Sequence, residues 1–286
     1  MVGLEVPEVD FSRYSNRQLA AVPLAILAIA LLVIVAWFVL FGSPVKPGIA
    51  FTGGTELQIQ TADSPNQIEA AFSTPVESVQ PVRSSSNTYI VTFQSTDTTA
   101  IQNQAEAAGY SIESIQGRSA SFGGDSQRQA FIGVVIAFLG MSLIVFLLFR
   151  SFVPSIAVVA SAFSDIIIPM ALMDIFGIKL SLGTVAALLM LIGYSVDSDL
   201  LLNNHVLRRR GGFYESAYRA MRTGVTMTVT SLAAMAVMTV VSYLFSIPLL
   251  PEIGIVLVFG LTADLMNTYM LNLSLLRYYK YEGVAK

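Results

Sequence analysis

Six stretches of the chain are apolar and almost free of charge over about the 20 residues an α-helix needs to cross hydrocarbon: 20–41, 130–149, 153–173, 180–202, 224–245 and 253–276. Each predicts a transmembrane helix. The first has too long an apolar run, and no small-residue cleavage site after it, for a removed signal peptide, so it is expected to remain as an anchor. Between the first two spans, 42–129 changes character to short alternating runs broken by polar and turn-forming residues. The pattern predicts a strand at 55–60, a helix at 65–72, strands at 76–83 and 88–94, a helix at 98–108 and a strand at 111–119. The order βαββαβ is that of a ferredoxin-like split unit, an α+β domain whose helices cover one face of an antiparallel sheet.

Composition agrees with a polytopic α-helical membrane protein: 54% of the 286 residues are hydrophobic and 12% are charged, too apolar for a soluble domain of this length. Cys is absent and His205 is the single histidine, which leaves no disulfide framework, no thiolate chemistry and little scope for a metal site. No phosphate-binding loop is present, and no nucleophile, base and orienting group cluster outside the spans. No enzyme activity, cofactor, metal or nucleic-acid partner is therefore expected.

The net charge of −3 becomes informative once its placement is read. With the N-terminus inside, Arg13, Arg17, Arg150, Arg208, Arg209, Arg210, Arg219, Arg222, Arg277, Lys280 and Lys286 gather on the cytoplasmic side. Only Lys46, Arg83, Arg118, Arg128 and Lys179 fall on the other. This predicts a cytoplasmic segment 1–19, a first span at 20–41, an external domain at 42–129, spans two to six within 130–276 with an Arg-rich cytoplasmic loop at 203–223, and a cytoplasmic tail at 277–286. The external domain carries Glu56, Asp63, Glu69, Glu77, Asp97, Glu106, Glu113 and Asp125, an acidic surface suited to high salt.

Ionisable residues inside a span cost several kcal/mol and mark ion or substrate paths. Asp165 lies in span three, Asp197 and Asp199 in span four, and Asp264 with Asn267 in span six. Arg222 opens span five, and Thr223, Thr226 and Thr230 follow it as a stripe expected to face those carboxylates. Asp165, Asp197, Asp199, Asp264, Arg222 and Thr226 are thus candidates for a proton relay, in which Asp197 would release a proton as Arg222 approaches and bind one as it withdraws. The alternative is that these groups only hold helices together by interhelical hydrogen bonds. Asn203 and Asn204 are expected to end the fourth helix, with His205 at the membrane surface beyond it. Gly133 with Ala137, and Gly183 with Ala187, place small residues four apart, as close helix packing requires.

Three phrases carry a family resemblance: Gly48-Ile49-Ala50-Phe51-Thr52-Gly53-Gly54-Thr55 after span one, Gly193-Tyr194-Ser195-Val196-Asp197 in span four, and Arg222-Thr223 in span five. Over nearly its whole length the chain resembles the SecF family of protein-export membrane proteins, within the resistance-nodulation-division superfamily. Ala50 stands where the family's GIDFTGGT signature often has Asp. In span four the bacterial Asn-Asp pair reads Asp197-Ser198, and Val196 to Asp199 is instead similar to SecD and to archaeal members. Asp264 to Thr268 is also archaeal-like. Arg222 matches a span-five Arg that members are thought to use in proton transport, and Asp165 matches a span-three Asp. The resemblance implies an accessory of the Sec translocon in the cytoplasmic membrane. It would pair with SecD and engage an unfolded secretory polypeptide as ions flow inward. A half-transporter for a lipid or small molecule and a passive assembly factor remain the other readings, and the coupling ion, H⁺ or Na⁺, stays open.

Overall fold

The computed structural model describes residues 9–82, 85, 87–208, 212–245, 247 and 249–282. Arg83, Arg209, Arg210 and Lys286, used above for orientation, lie outside the described residues. Among those described, six helices are long and apolar enough to cross a membrane.

The first, α1 (Asn16–Phe41), starts at a reciprocal cap in which the Ser15 hydroxyl accepts from Gln18 N and the Gln18 side chain accepts from Ser15 N. It stops at Gly42, whose φ of 77° suits a residue without a Cβ. The phrase Gly48 to Thr55 then forms a joint. A short helix α2 (Ile49–Thr52) ends at Gly53 and Gly54, with φ of 78° and 143°, and releases the chain into β1 (Gly54–Gln60). A Cβ on Gly53 would lie 2.7 Å from Ala120 N, so the glycine also lets the joint press against the helix that begins there. Phe51 is buried beneath it.

The α+β domain continues through α3 (Pro65–Ala71), β2 (Val76–Pro81), β3 (Thr88–Phe93), α4 (Thr98–Ala107) and β4 (Ser111–Arg118). Its antiparallel sheet has the order β2-β3-β1-β4, the ferredoxin-like arrangement. Alternate residues of β1, Leu57 and Ile59, point to one face and pack with Val91, Phe93, Ile68 and Ile101, all fully buried. The domain therefore has a core of its own, separate from the bundle.

The remaining spans are α5 (Ala120–Phe149), α6 (Phe152–Phe176), α7 (Leu182–Arg208), α8 (Phe213–Leu244) and a long span made of α9 (Leu250–Met266), a π-helical turn (Asn267–Asn272) and α10 (Leu273–Tyr281). They do not share the interior equally. About half or more of the most apolar stretch is buried in α6, α7 and α9 (61%, 50% and 56%), against 6%, 6% and 11% in α1, α5 and α8. The first three form the centre, cored by Ile166, Met173, Leu188, Leu191, Val256 and Leu257.

Several expectations need correction. The second long helix begins at Ala120, ten residues before the expected 130, so the domain gives up the end of 42–129 to α5. Asn203 and Asn204 do not end the fourth helix, and His205 is inside it with its Nδ1 2.8 Å from Leu201 O. Helix α7 runs to Arg208 and α8 starts at Phe213, so most of the expected loop 203–223 is helical and Arg222 sits well inside α8. In each case polar residues continue a helix past the apolar stretch, because the backbone ladder does not stop where the side chains turn polar.

Further ties among the described residues join the α+β domain to the bundle. Gly48 N donates to Leu180 O and Leu180 N donates to Lys46 O, each at 2.8 Å. Lys179, in the α6–α7 loop, forms an ion pair with Glu77 of β2.

Candidate functional site

Near the middle of α6, α7 and the last span, the carboxylates Asp165, Asp199 and Asp264, each at most 1% exposed, are buried among hydroxyl and amide side chains. Asp165 is fully paired. Its Oδ2 accepts from the Ser195 hydroxyl and its Oδ1 from Asn267 Nδ2, both at 2.6 Å. Asp199 Oδ1 accepts from Asn272 Nδ2 at 2.7 Å and from the Thr268 hydroxyl at 2.9 Å. Asp264 Oδ1 lies 2.7 Å from the Ser198 hydroxyl and 3.3 Å from that of Thr268, so one threonine bridges two carboxylates. Among the described residues no basic side chain forms an ion pair with any of the three.

The π-helical turn makes this possible. An α-helix presents about one residue in three or four to a given side, but in the widened turn Asn267, Thr268, Tyr269, Leu271 and Asn272 are all buried. Asn267 consequently serves Asp165 while Thr268 and Asn272 serve Asp199. Such single π turns are rare and concentrate at functional places.

Asp197, Arg222 and Thr226 are not part of this cluster. Two residues along an α-helix is about 200°, so Asp197 points away from the side occupied by Asp199. It is exposed, on a stripe of α7 formed by Leu182, Ala186, Met190, Gly193 and Asn204 that the described residues leave uncovered. Arg222 is exposed on α8. The threonine stripe does not face the carboxylates either. Thr223, Thr226 and Thr230 turn back onto their own helix, Thr226 to Arg222 O at 2.8 Å. The α8 threonine that does bond to α7 among the described residues is Thr228, which accepts from the Tyr194 hydroxyl at 3.1 Å.

The family phrase in α7 thus divides by face. Ser195 holds Asp165, Tyr194 meets α8, and Gly193 lies on the exposed stripe beside Asp197. Sequence reading missed Ser198 and Asn272. The spacing 264, 268, 272 was the available signal, three polar residues at intervals of four on one apolar span.

Residues 97–282 match the family model for the C-terminal part of the protein-export membrane proteins SecD and SecF. The chain is 65% identical to the protein-export membrane protein SecF of Haloferax volcanii and 63% identical to that of Haloquadratum walsbyi, over the whole of both chains in each case. It is 39% identical to SecF of Pyrococcus furiosus over 93% of either chain. Its fold superposes on the crystal structure of SecDF, a translocon-associated membrane protein from Thermus thermophilus, with a TM-score of 0.71 at 18% identity. That likeness covers 98% of this chain and 40% of the other, so this chain spans well under half the length of that protein. The chain belongs to the SecF family of protein-export membrane proteins.

Proposed function

We propose that this chain is a non-enzymatic subunit of the protein-export machinery that pairs with a SecD subunit and couples an ion gradient to polypeptide movement through the Sec translocon. Both termini would be cytoplasmic and the α+β domain external, as the Lys and Arg distribution favours. One observation carries the reading: Asp197 is exposed on the uncovered stripe of α7, two residues past the midpoint of that helix. A carboxylate facing hydrocarbon at that depth costs roughly 2.5–3.5 kcal/mol or more. A second membrane subunit covering the stripe removes that cost and supplies the partner a titrating carboxylate needs. The small residues Ala186 and Gly193 on the same stripe would allow a neighbouring helix to approach closely.

In this reading Asp197 and Arg222 form half of a relay at the subunit boundary, while Asp165, Asp199 and Asp264 lie in this chain's own interior. Changes of protonation at the boundary would shift one half of the assembly against the other, and the external domain would transmit that motion to an emerging unfolded polypeptide.

The test compares cells carrying wild type or Asp197→Asn at matched levels, with pulse-labelling of a secreted protein. Slowing of export by several-fold, with the SecD partner still co-purifying, supports coupling through Asp197. An unchanged rate removes the relay assignment and leaves the assembly-factor reading.

A further inference from the structure

Where α1 and α6 end against the α+β domain, a cavity of about 680 Å³ is bordered by Trp37 and Phe41 of α1, Lys46 and Thr52 of the following segment, Gln94 after β3 and Asp174 of α6. Three of these side chains carry polar atoms without a partner among the described residues. Asp174 is 4% exposed and neither carboxylate oxygen receives a hydrogen bond, although Lys46 N is close by. The buried Nε1 of Trp37 has no acceptor. Lys46 forms no ion pair, with Asp174 or with any other described carboxylate. A lysine and a buried carboxylate thus border one cavity without compensating each other, which is costly for the carboxylate. A ligand that offers an acceptor to Lys46 and Trp37 and a donor to Asp174 would remove that cost.

We infer that this cavity binds the headgroup of one phospholipid, with its phosphate on Lys46 and a hydrogen-bond donor beyond the phosphate, an ammonium or a hydroxyl, on Asp174. An ionised carboxylate only accepts hydrogen bonds, so its ligand must donate, whereas a lysine ammonium only donates and is a common phosphate binder. A phosphodiester that ends in an ammonium or a hydroxyl carries both kinds of group a few bonds apart. The surroundings select a lipid over a soluble phosphate. Trp37 lies four residues before the end of α1, about 6 Å along the axis, at the level where indole rings meet headgroups. Its ring packs on Phe41 with centroids 4.4 Å apart, and Phe41 is 62% exposed, so the cavity rim belongs to the surface that meets acyl chains. Phe38, Ile175 and Phe176, at the same ends of α1 and α6, are exposed as well. The oxygens of Asp174 are covered by the cavity wall, so binding turns this side chain toward the headgroup. A lipid held here would touch α1, α6 and, through Thr52 and Gln94, the α+β domain, and so would brace the domain against the bundle. The inference does not rest on the export reading, because the cavity lies wholly within this chain and away from Asp197.

The test is native mass spectrometry of the purified full-length chain in detergent, titrated with dioleoyl phosphatidylglycerol, phosphatidylethanolamine, phosphatidylcholine or dioleoylglycerol. Wild type should retain one molecule of either donor-ended phospholipid. Phosphatidylcholine, which has the phosphate without the donor, and dioleoylglycerol, which lacks the phosphate, should bind about tenfold or more weakly. Lys46→Gln and Asp174→Asn should each weaken retention of phosphatidylethanolamine by a similar factor, and Asp174→Asn should erase its preference over phosphatidylcholine. Glu215→Gln, at an exposed surface pair of α8, should bind as wild type. Glycerol phosphate and phosphoethanolamine in excess should not displace the lipid; displacement would assign the cavity to a soluble phosphate and overturn the lipid site. Folding is checked by helicity and gel filtration, and where Asp174→Asn does not fold, the exposed Lys46→Gln and the wild-type ranking of lipids decide. Equal retention of all four lipids, as for an unselective boundary lipid, overturns the site, as does unchanged retention in folded variants. No lipid on folded wild type leaves ordered water as the partner of Asp174 and overturns it as well. Asp197→Asn tests export alone, so either idea can fail without the other.

Discussion

Asp197 and Asp199 are two residues apart on α7 and occupy opposite environments: Asp199 is fully buried against Thr268 and Asn272, whereas Asp197 is exposed on the stripe that the described residues leave uncovered. Neutralising them should therefore produce different defects. Asp199→Asn is expected to change the melting behaviour of the isolated chain, because it alters a buried network. Asp197→Asn should leave the isolated chain's melting nearly unchanged and act only in the assembled complex. Circular dichroism melts of the two variants, alone and with the SecD partner, check this. A larger effect of Asp197→Asn on the isolated chain would contradict the division.

Ser195→Ala removes one of the two donors to Asp165, at 2.6 Å, without leaving a donor unsatisfied. Interhelical hydrogen bonds in membrane bundles contribute on average about 0.6 kcal/mol and at most about 1.7. The expected loss lies in that range, toward its upper end because the contact is short and the acceptor is a carboxylate. Unfolding by titration with a denaturing detergent, followed by helicity, gives the number. A loss well above 2 kcal/mol would mean that the hydroxyl supports more of the cluster than one bond.

The helices could be read from sequence because a span must hold about 20 apolar residues whatever it packs against. Their faces could not, for a reason particular to lipid. In water a helix shows its buried side by its apolar residues, but in a bilayer the exposed side is equally apolar. Leu182 and Met190 on the open stripe of α7 are as hydrophobic as Leu188 and Leu191 in the core, and differ only in burial. That is why Asp165, Asp197, Asp199 and Asp264 read as one set, although three of them converge and one does not. The π turn was illegible for another reason: it adds a residue to a helical turn without any composition of its own.

Gly53→Ala should destabilise the joint between α1, the α+β domain and α5. The backbone there has φ 78° and ψ 171°, a region essentially restricted to glycine and costing about 1–3 kcal/mol for other residues. The added methyl would also meet Ala120 N at 2.7 Å, which cannot move without shifting the start of α5. Faster limited proteolysis at the joint, with the bundle still folded, is the expected outcome. A variant as resistant as wild type would show that the joint tolerates a different path.

Tyr110 packs in the domain core and donates to Asp63 Oδ2 at 3.0 Å. Burial, and then the Asp63 carboxylate beside it, raise the pKa of its phenol above the usual value of about 10. The folded domain thus holds this proton more tightly than the unfolded one. Its contribution to stability is complete below the unfolded pKa and is lost as pH rises through the folded pKa. Stability of the domain should therefore fall above about pH 10, and Tyr110→Phe should flatten part of that fall. Alkaline melts of both proteins, with tyrosinate absorbance followed in parallel, test the sign; a steeper fall in the variant would reverse the assignment.

Deleting Met270 would turn the π turn back into regular α-helix and rotate everything after it by about 100°. Asn272 could then no longer reach Asp199, and Arg277 would leave Phe11 O, to which it donates at 3.0 Å, and its hydrogen bond to Asn16. Asp199 would stay buried with half its donors gone, a loss of the kind that costs several kcal/mol when a charged group is stranded. A substitution such as Met270→Leu keeps the residue count and close to the same volume, and should cost under about 1.5 kcal/mol. Comparing the yield and melting temperature of the two variants separates register from side chain. If the deletion is as stable as the substitution, the π turn is not what holds Asn267, Thr268 and Asn272 in place, and the cluster must reform by another route.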